Sequence, residues 1–181
     1  ASRIMPRRVK SSKMAAFREV IEAVVLASDN KALIFTQYSN MAEILLDELD
    51  ELGVKYLYIW GGTPKKDRAA MQEKFNNDPK IDVMVGTEAM STGLNFTAAT
   101  YVINYDDNWA PAIMAQREDR AHRMGQKDTV TVINFICMDT IEERIRKVLY
   151  VKGSISSQTL GDDTDMIVLK RLGPQDVAKM L

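Results

Sequence analysis

Hydrophobic and polar positions alternate along this chain with two different periods. Apolar residues recur every three or four positions in four segments, which predicts helices over residues 12–28, 40–52, 64–77 and 112–124. Short apolar runs lie between these segments and are typical of strands buried on both faces: residues 32–35, 54–60, 81–85, 101–105 and 129–136. Strands that alternate with helices form a mostly parallel sheet with helices packed on both faces. The pattern therefore predicts a three-layer α/β fold.

Local signals mark the ends of the predicted helices. Gly53 ends the second helix, and Pro64 occupies the first position of the third. A further helix is predicted from about residue 140, which gives the chain a C-terminal helical extension. The predicted N-cap residues are Ser12, Asn40 and Thr63.

The predicted sheet indicates where a ligand is expected to bind. In an open parallel sheet, ligands bind beyond the carboxyl ends of the strands. The segments that follow the predicted strands at this edge are residues 36–37, 61–63, 86–95 and 106–111.

Composition narrows the class of protein. The 181 residues are 46% hydrophobic and 27% charged, which is typical of a globular domain. No apolar run approaches the roughly 20 residues of a membrane helix, so no membrane partner is expected. Cys137 is the only cysteine, which fits a reducing cytosolic or nuclear compartment. With 24 Lys and Arg against 25 Asp and Glu, a wholly basic nucleic-acid binder is excluded, whereas a local basic surface is not.

Two phosphate-binding patterns are missing from the sequence. Neither G-x-x-x-x-G-K-[ST] nor a G-x-G-x-x-G after a strand occurs in it. Residues 47–50 spell Asp-Glu-Leu-Asp, which resembles the metal-binding string of many helicases. That string has to leave a buried strand, whereas here it lies within a predicted helix. We interpret it as a solvated acidic face, and we predict no metal site.

Residues 116–126 carry the most informative pattern. At about 100° per residue, Gln116, Arg120 and Arg123 fall on one face of the predicted helix. Guanidinium groups stay charged and bind phosphate oxygens in a fork, so this face can bind phosphate. The alternative is a solvated helix end whose arginines pair with neighbouring carboxylates. Spacing alone favours neither. Arg117 and His122 point away from this face and are interpreted as surface or structural residues.

The same segment resembles motif VI of the Swi/Snf-type superfamily-two helicase-like ATPases, Q-A-x-x-R-x-x-R-x-G-Q. Arg117 stands where the pattern has alanine. The matching residues are Gln116, Arg120, Arg123, Gly125 and Gln126.

Other segments resemble further motifs of this family, in the family's order. Residues 105–112 are similar to D-x-x-W-N-P-A, with Ala110 in place of asparagine. Residues 87–97 resemble motif V, T-[RK]-A-G-G-x-G-I-N-L-T, with Glu88 where a basic residue is common and residues 90–91 where a glycine pair is common. Residues 34–38 resemble motif IV, and residues 61–76 resemble the G-x-[ST]…R…F-N segment that follows it. Residues 140–145 resemble the start of the brace helix.

The resemblance implies the C-terminal, second RecA-like lobe of an ATP-dependent double-stranded DNA translocase. In that family ATP and Mg²⁺ bind on the first lobe, so this chain alone is expected to be inactive and to bind no cofactor tightly. The resemblance implies arginine-finger roles for Arg123 and Arg120, with Gln116, Gly93 and Asn95 on the nucleotide side. It implies DNA contacts by Thr36, Gln37, Thr63, Arg68, Thr87 and Trp109.

The expected domain organisation has three parts. Residues 1–11 are a basic linker or vector-derived residues, residues 12–138 are the lobe, and residues 139–181 are the brace-like helix and C-terminal extension. The expected partners are double-stranded DNA and the N-terminal lobe of the same protein, the isolated chain being a monomer. The expected location is the cytoplasm, with the nucleoid, in a prokaryote and the nucleus in a eukaryote. Two alternatives stay open: the second lobe of another superfamily-two DNA or RNA helicase, and a stand-alone, non-catalytic α/β binding module.

Overall fold

The computed structural model describes residues 11–28, 30–91, 93–108, 110–121 and 129–143. Within these ranges, strands alternate with helices along the chain. The strands are β1 (Ala32–Phe35), β2 (Tyr56–Ile59), β3 (Val83–Gly86), β4 (Tyr101–Asn104) and β5 (Thr131–Asn134). The α-helices are α1 (Ser12–Ile21), α2 (Ser39–Leu52), α3 (Lys65–Asn77) and α4 (Pro111–Glu118). A π-helical turn (Glu22–Leu26) continues α1, and a 3₁₀ turn (Glu88–Met90) follows β3.

The five described strands form one parallel sheet in the order β2-β3-β1-β4-β5. Their last residues lie in a single register row: Ile59, Gly86, Phe35, Asn104 and Asn134. Because the strands end level with one another, the segments that follow them meet at one edge of the sheet. The described residues therefore confirm the predicted parallel α/β sheet, and they bring the segments that are expected to bind ligands together at one of its edges.

Apolar side chains cover both faces of the sheet. On one face, α1 and α2 pack their buried side chains, such as Phe17 and Leu45, against Ile34 and Ile103. On the other face, Phe75 of α3 and Phe96 pack against Leu33. Each face thus has its own hydrophobic core, which is the three-layer arrangement that the sequence predicts.

The structure corrects the predicted helix starts. Ser11, not Ser12, caps α1, because its side chain accepts a hydrogen bond from the backbone N–H of Met14. The other two predicted caps, Asn40 and Thr63, are also wrong. Helix α2 begins at Ser39, α3 begins at Lys65, and neither has a side-chain cap. Helix ends fray, so boundaries inferred from a sequence differ from those of the structure by one or two residues.

Two predictions about helix α2 are confirmed, whereas α4 is shorter than predicted. Gly53 ends α2 in the left-handed conformation, with φ 72°, which favours glycine. Residues 47–50 lie within α2, as the rejection of a metal-binding string requires. Helix α4 ends at Glu118, and part of the helix predicted to residue 124 lies outside the described residues. No helix in the described ranges has the length and apolar character to cross a membrane.

Candidate functional site

A buried carboxylate joins the ends of strands β1 and β4. Asp106, two residues after β4, accepts hydrogen bonds from the Thr36 hydroxyl and from the backbone N–H of Gln37, the latter at 2.8 Å. Burial raises the pKa of Asp106, while these two hydrogen bonds and the Arg117 charge oppose that rise. The Gln37 side-chain amide donates to the Asp107 carbonyl at 3.1 Å. The two strand ends are therefore held together by polar contacts.

Arg117 lies at the centre of this edge with its side chain wholly buried, at 0% exposure. Its guanidinium donates to the Asp106 carbonyl at 2.9 Å and to the Glu88 carboxylate at 2.6 Å, and it stands 5.4 Å above the Phe35 ring. Of the two interpretations given to Arg117 from the sequence, surface or structural, the structure supports the structural one.

Arg120 holds the segment that follows the 3₁₀ turn. Its guanidinium donates to the carbonyls of Gln116 and Leu94, both at 3.0 Å, and its own carbonyl accepts from the backbone N–H of Phe96 at 2.9 Å. Arg120 is buried, whereas Gln116 is exposed. The predicted phosphate-binding face is thus divided in the structure: Arg120 is engaged with the chain itself, and Gln116 faces outward.

The predicted nucleotide-side residues Gly93 and Asn95 flank Leu94. Gly93 is exposed and left-handed, with φ 69°. The Asn95 backbone is held by two residues of α3, because its N–H donates to Gln72 at 2.9 Å and its carbonyl accepts from Asn76 at 3.0 Å. The Asn95 side-chain oxygen is buried without a hydrogen-bond partner. Arg120 and α3 together therefore fix the position of this loop.

The structure buries three of the five predicted DNA-contacting side chains that it describes. Thr36 is 0% exposed, and Thr63 and Thr87 are also buried. The Thr63 hydroxyl accepts from the Trp60 backbone N–H at 3.1 Å. Arg68 is half-buried and donates to three backbone carbonyls, of Thr63 at 2.8 Å, Gly61 at 3.2 Å and Ala89 at 3.3 Å. These side chains shape the loops of the edge, and Gln37 is partly exposed there.

Two exposed aromatic residues at the edge were missed by the sequence interpretation. Trp60 and Tyr38 follow strands β2 and β1 and are 49% and 56% exposed. The Trp60 indole covers Gly62 so closely that an added Cβ there would lie 2.4 Å from the ring. For Trp60, its position directly before a glycine pair was the sequence signal that could have indicated an exposed aromatic residue in a turn. Lys65 and Lys66, at the start of α3, are exposed beside this loop.

Several predicted residues cannot be placed. Arg123, Trp109 and most of the C-terminal extension lie outside the described residues. Within the described ranges, no group of three or more His, Cys, Asp or Glu residues is arranged to hold a metal ion.

Solved structures share this fold. The chain aligns with the C-terminal part of the Fun30 ATPase domain at a TM-score of 0.75 and 31% identity, covering 77% of this chain and 46% of that one. It aligns with the Sulfolobus solfataricus SWI2/SNF2 ATPase core in complex with double-stranded DNA at a TM-score of 0.70 and 32% identity, covering 86% and 33%. The fold is thus that of a RecA-like ATPase lobe.

Sequence comparison gives the family. Residues 12–125 match the model of the helicase conserved C-terminal domain. An uncharacterized ATP-dependent helicase of Mycoplasma pneumoniae is 36% identical over 156 residues, covering 86% of this chain and 15% of that protein. Helicase SWR1 of Candida albicans is 42% identical over 119 residues, covering 65% and 7%. The chain belongs to the helicase C-terminal domain family, as a second lobe of the Swi/Snf type. It spans only a small part of these curated relatives.

Proposed function

We propose that this chain is the second motor lobe of an ATP-dependent double-stranded DNA translocase. The observation that carries the proposal is the position of α4. This helix begins at the carboxyl edge of the sheet, directly after the loop that follows β4, and it presents Gln116 outward on the face that the sequence assigns to phosphate. The structural relative in complex with double-stranded DNA supports the choice of DNA as partner.

On the nucleotide side, Arg123 is the proposed arginine finger. It lies three residues beyond Arg120 in the sequence, and a guanidinium there would neutralise charge that develops on the transferred phosphoryl group. Arg120 contributes by holding the Leu94 carbonyl, which fixes the loop that contains Gly93 and Asn95. Gln116 supports the nucleotide from its exposed position.

ATP and Mg²⁺ are assigned to the first lobe. The chain has no P-loop pattern, and its described residues offer no metal-holding cluster. The role proposed for this lobe is to position positive charge near the nucleotide and to contact DNA.

On the DNA side, the contacts come from outward-facing groups. The buried threonines Thr36, Thr63 and Thr87 shape the loops whose backbone amides would face the phosphates, and Arg68 fixes the loop before α3. The exposed side chains of Trp60, Tyr38 and Lys65 extend this surface outward. Trp109 is assigned to the same surface on the family resemblance. These proposed contacts are to the phosphates and sugars of the DNA, so binding would not depend on the DNA sequence.

Substitution of Arg123 tests the proposal in the full-length protein. Arg123→Ala should abolish most DNA-stimulated ATP hydrolysis while the Kd values for ATP and DNA change less than several-fold, because the guanidinium acts mainly in the transition state. Arginine fingers contribute about 10³–10⁵ in rate in other phosphoryl-transfer enzymes. Arg123→Lys should not rescue turnover, because an ammonium cannot form the planar fork.

Controls separate this outcome from loss of the fold. Lys55→Ala changes an exposed cation directly before β2, at the opposite edge of the sheet, and should leave turnover unchanged. Near-normal kcat in folded Arg123→Ala protein would remove Arg123 from the catalytic residues. Duplex translocation without strand separation would support the proposed translocase activity, and processive strand displacement would contradict it. A motor acting on DNA would work at the nucleoid of a prokaryote or in the nucleus of a eukaryote.

A further inference from the structure

Glu88 and Arg117 form an ion pair across the binding edge. These are two of the positions at which the sequence departs from the motif patterns, acidic where motif V is commonly basic and arginine where motif VI has alanine. Their side chains lie 29 positions apart along the chain and meet at 2.6 Å. Neither residue is among those proposed to bind phosphate or DNA, so the ion pair needs a different explanation.

The two ends of this ion pair differ in environment. The Arg117 side chain is 0% exposed, whereas that of Glu88 is 39% exposed. At the buried end, the guanidinium is also held by the Asp106 carbonyl and by the Asn104 side chain at 3.3 Å. Loss of the Glu88 charge therefore removes the carboxylate that is paired directly with a buried cation, whereas loss of Arg117 leaves a carboxylate that water can solvate. The buried Arg117 side chain is therefore held in one position, whereas the partly exposed Glu88 side chain has room to move.

The pair connects segments that the sheet keeps apart. Glu88 belongs to the 3₁₀ turn after β3, Arg117 belongs to α4 after β4, and strand β1 separates β3 from β4. The Asn108 side-chain amide also donates to Glu88, at 3.3 Å, and the Asn108 backbone N–H donates to the Met114 sulfur on α4. The motif V segment, the loop after β4 and α4 are thus tied together above the end of β1.

We infer that Arg117 is a positioning residue which, through Glu88, couples the DNA-facing motif V segment to helix α4, which carries Gln116 and directly precedes the segment of Arg120 and Arg123 in the chain. A displacement of the 3₁₀ turn by DNA would pull on the exposed carboxylate and, through the buried guanidinium, on α4. The inference rests on the proposed function, because it assumes that DNA acts at one end and ATP at the other. Its consequence is that the pair sets how strongly DNA stimulates ATP hydrolysis.

A double-mutant cycle in the full-length protein tests this coupling. The variants are Glu88→Gln, Arg117→Met and the double substitution, with Glu73→Gln, an exposed carboxylate on α3, as the matched control. The measured quantity is the ratio of DNA-stimulated to basal kcat, together with the KM for ATP, the Kd for DNA and the unfolding midpoint. Glu88→Gln keeps the size of the side chain and removes its charge. If Arg117→Met does not fold, Glu88→Gln and Glu88→Lys still test the inference, because Glu88 is partly exposed.

We expect Glu88→Gln to lower the stimulation ratio at least fivefold with KM and Kd within about twofold of the original values. The double variant should lose no more than the more affected single variant, because both substitutions break one contact. Additive losses, or basal and DNA-stimulated kcat values that fall by the same factor, would overturn the inference. If the unsubstituted protein shows no DNA stimulation at all, the proposed function itself fails. Stimulation in that protein together with an unchanged ratio in Glu88→Gln rejects the coupling alone.

Discussion

The buried placement of Arg120 makes a quantitative prediction that separates it from Arg123. Arg120 donates to the carbonyls of Gln116 and Leu94, both at 3.0 Å. A hydrogen bond from a charged group contributes about 1.5–3 kcal/mol to stability. Arg120→Ala removes both bonds and leaves the Leu94 carbonyl unpaired by this side chain, so we expect the free energy of unfolding to fall by about 3–5 kcal/mol.

The 181-residue chain itself is suitable for the measurement. Urea unfolding followed by circular dichroism gives the free energy and the slope with denaturant, and an unchanged slope shows that only stability has changed. For a chain of this size, each kcal/mol lowers Tm by roughly 2–4 °C, so the expected shift for Arg120→Ala is about 6–20 °C. Arg120→Lys should lose less, because an ammonium can keep one of the two carbonyl contacts.

Arg123→Ala is the matched comparison. If Arg123 faces the nucleotide cleft, its removal should change the stability of the isolated chain by no more than about 0.5 kcal/mol, as at an ordinary surface position. The reasoning about Arg120 would be refuted by an Arg120→Ala variant whose stability lies within that same margin. Such a result would mean that the guanidinium is not engaged with Leu94 in solution and is available to the nucleotide.

Three further outcomes are expected. Burial raises the pKa of Tyr105 to about 12, so the stability that its neutral form contributes is complete below pH 10 and is lost as pH rises from 10 to 12; the free energy of unfolding measured with urea should fall by about 1 kcal/mol between pH 9 and pH 11, and Tyr105→Phe should abolish this fall. The isolated chain should bind duplex DNA of any sequence with a log Kd that rises linearly with log salt, and Lys65→Ala with Lys66→Ala should weaken that binding more than Lys55→Ala; binding that is unchanged between low and moderate salt would count against it. The isolated chain should not hydrolyse ATP, since it contains no P-loop pattern, and sustained turnover by a pure preparation would contradict the assignment of ATP to the first lobe.

The sequence by itself determined the type and order of the elements. The apolar runs predicted every described strand to within a few residues, because a strand covered on both faces needs a continuous run of apolar side chains. Gly53 marked the end of α2, because a left-handed residue at that position favours glycine. The motifs in family order indicated the Swi/Snf-type lobe, and the comparisons confirmed it.

Only the tertiary structure decided which polar side chains are buried. Thr36 looked like a DNA contact at a strand end, yet its hydroxyl is bound to Asp106, 70 positions away. Arg117 lay off the predicted phosphate-binding face, yet Glu88 from the segment after β3 pairs with it, and it is wholly buried at the centre of the edge. Helical periodicity tells which residues share a face, but the segment that packs on that face comes from elsewhere in the chain. For polar side chains, burial and hydrogen-bond partners therefore depend on segments that are distant in the chain, and local spacing does not identify them.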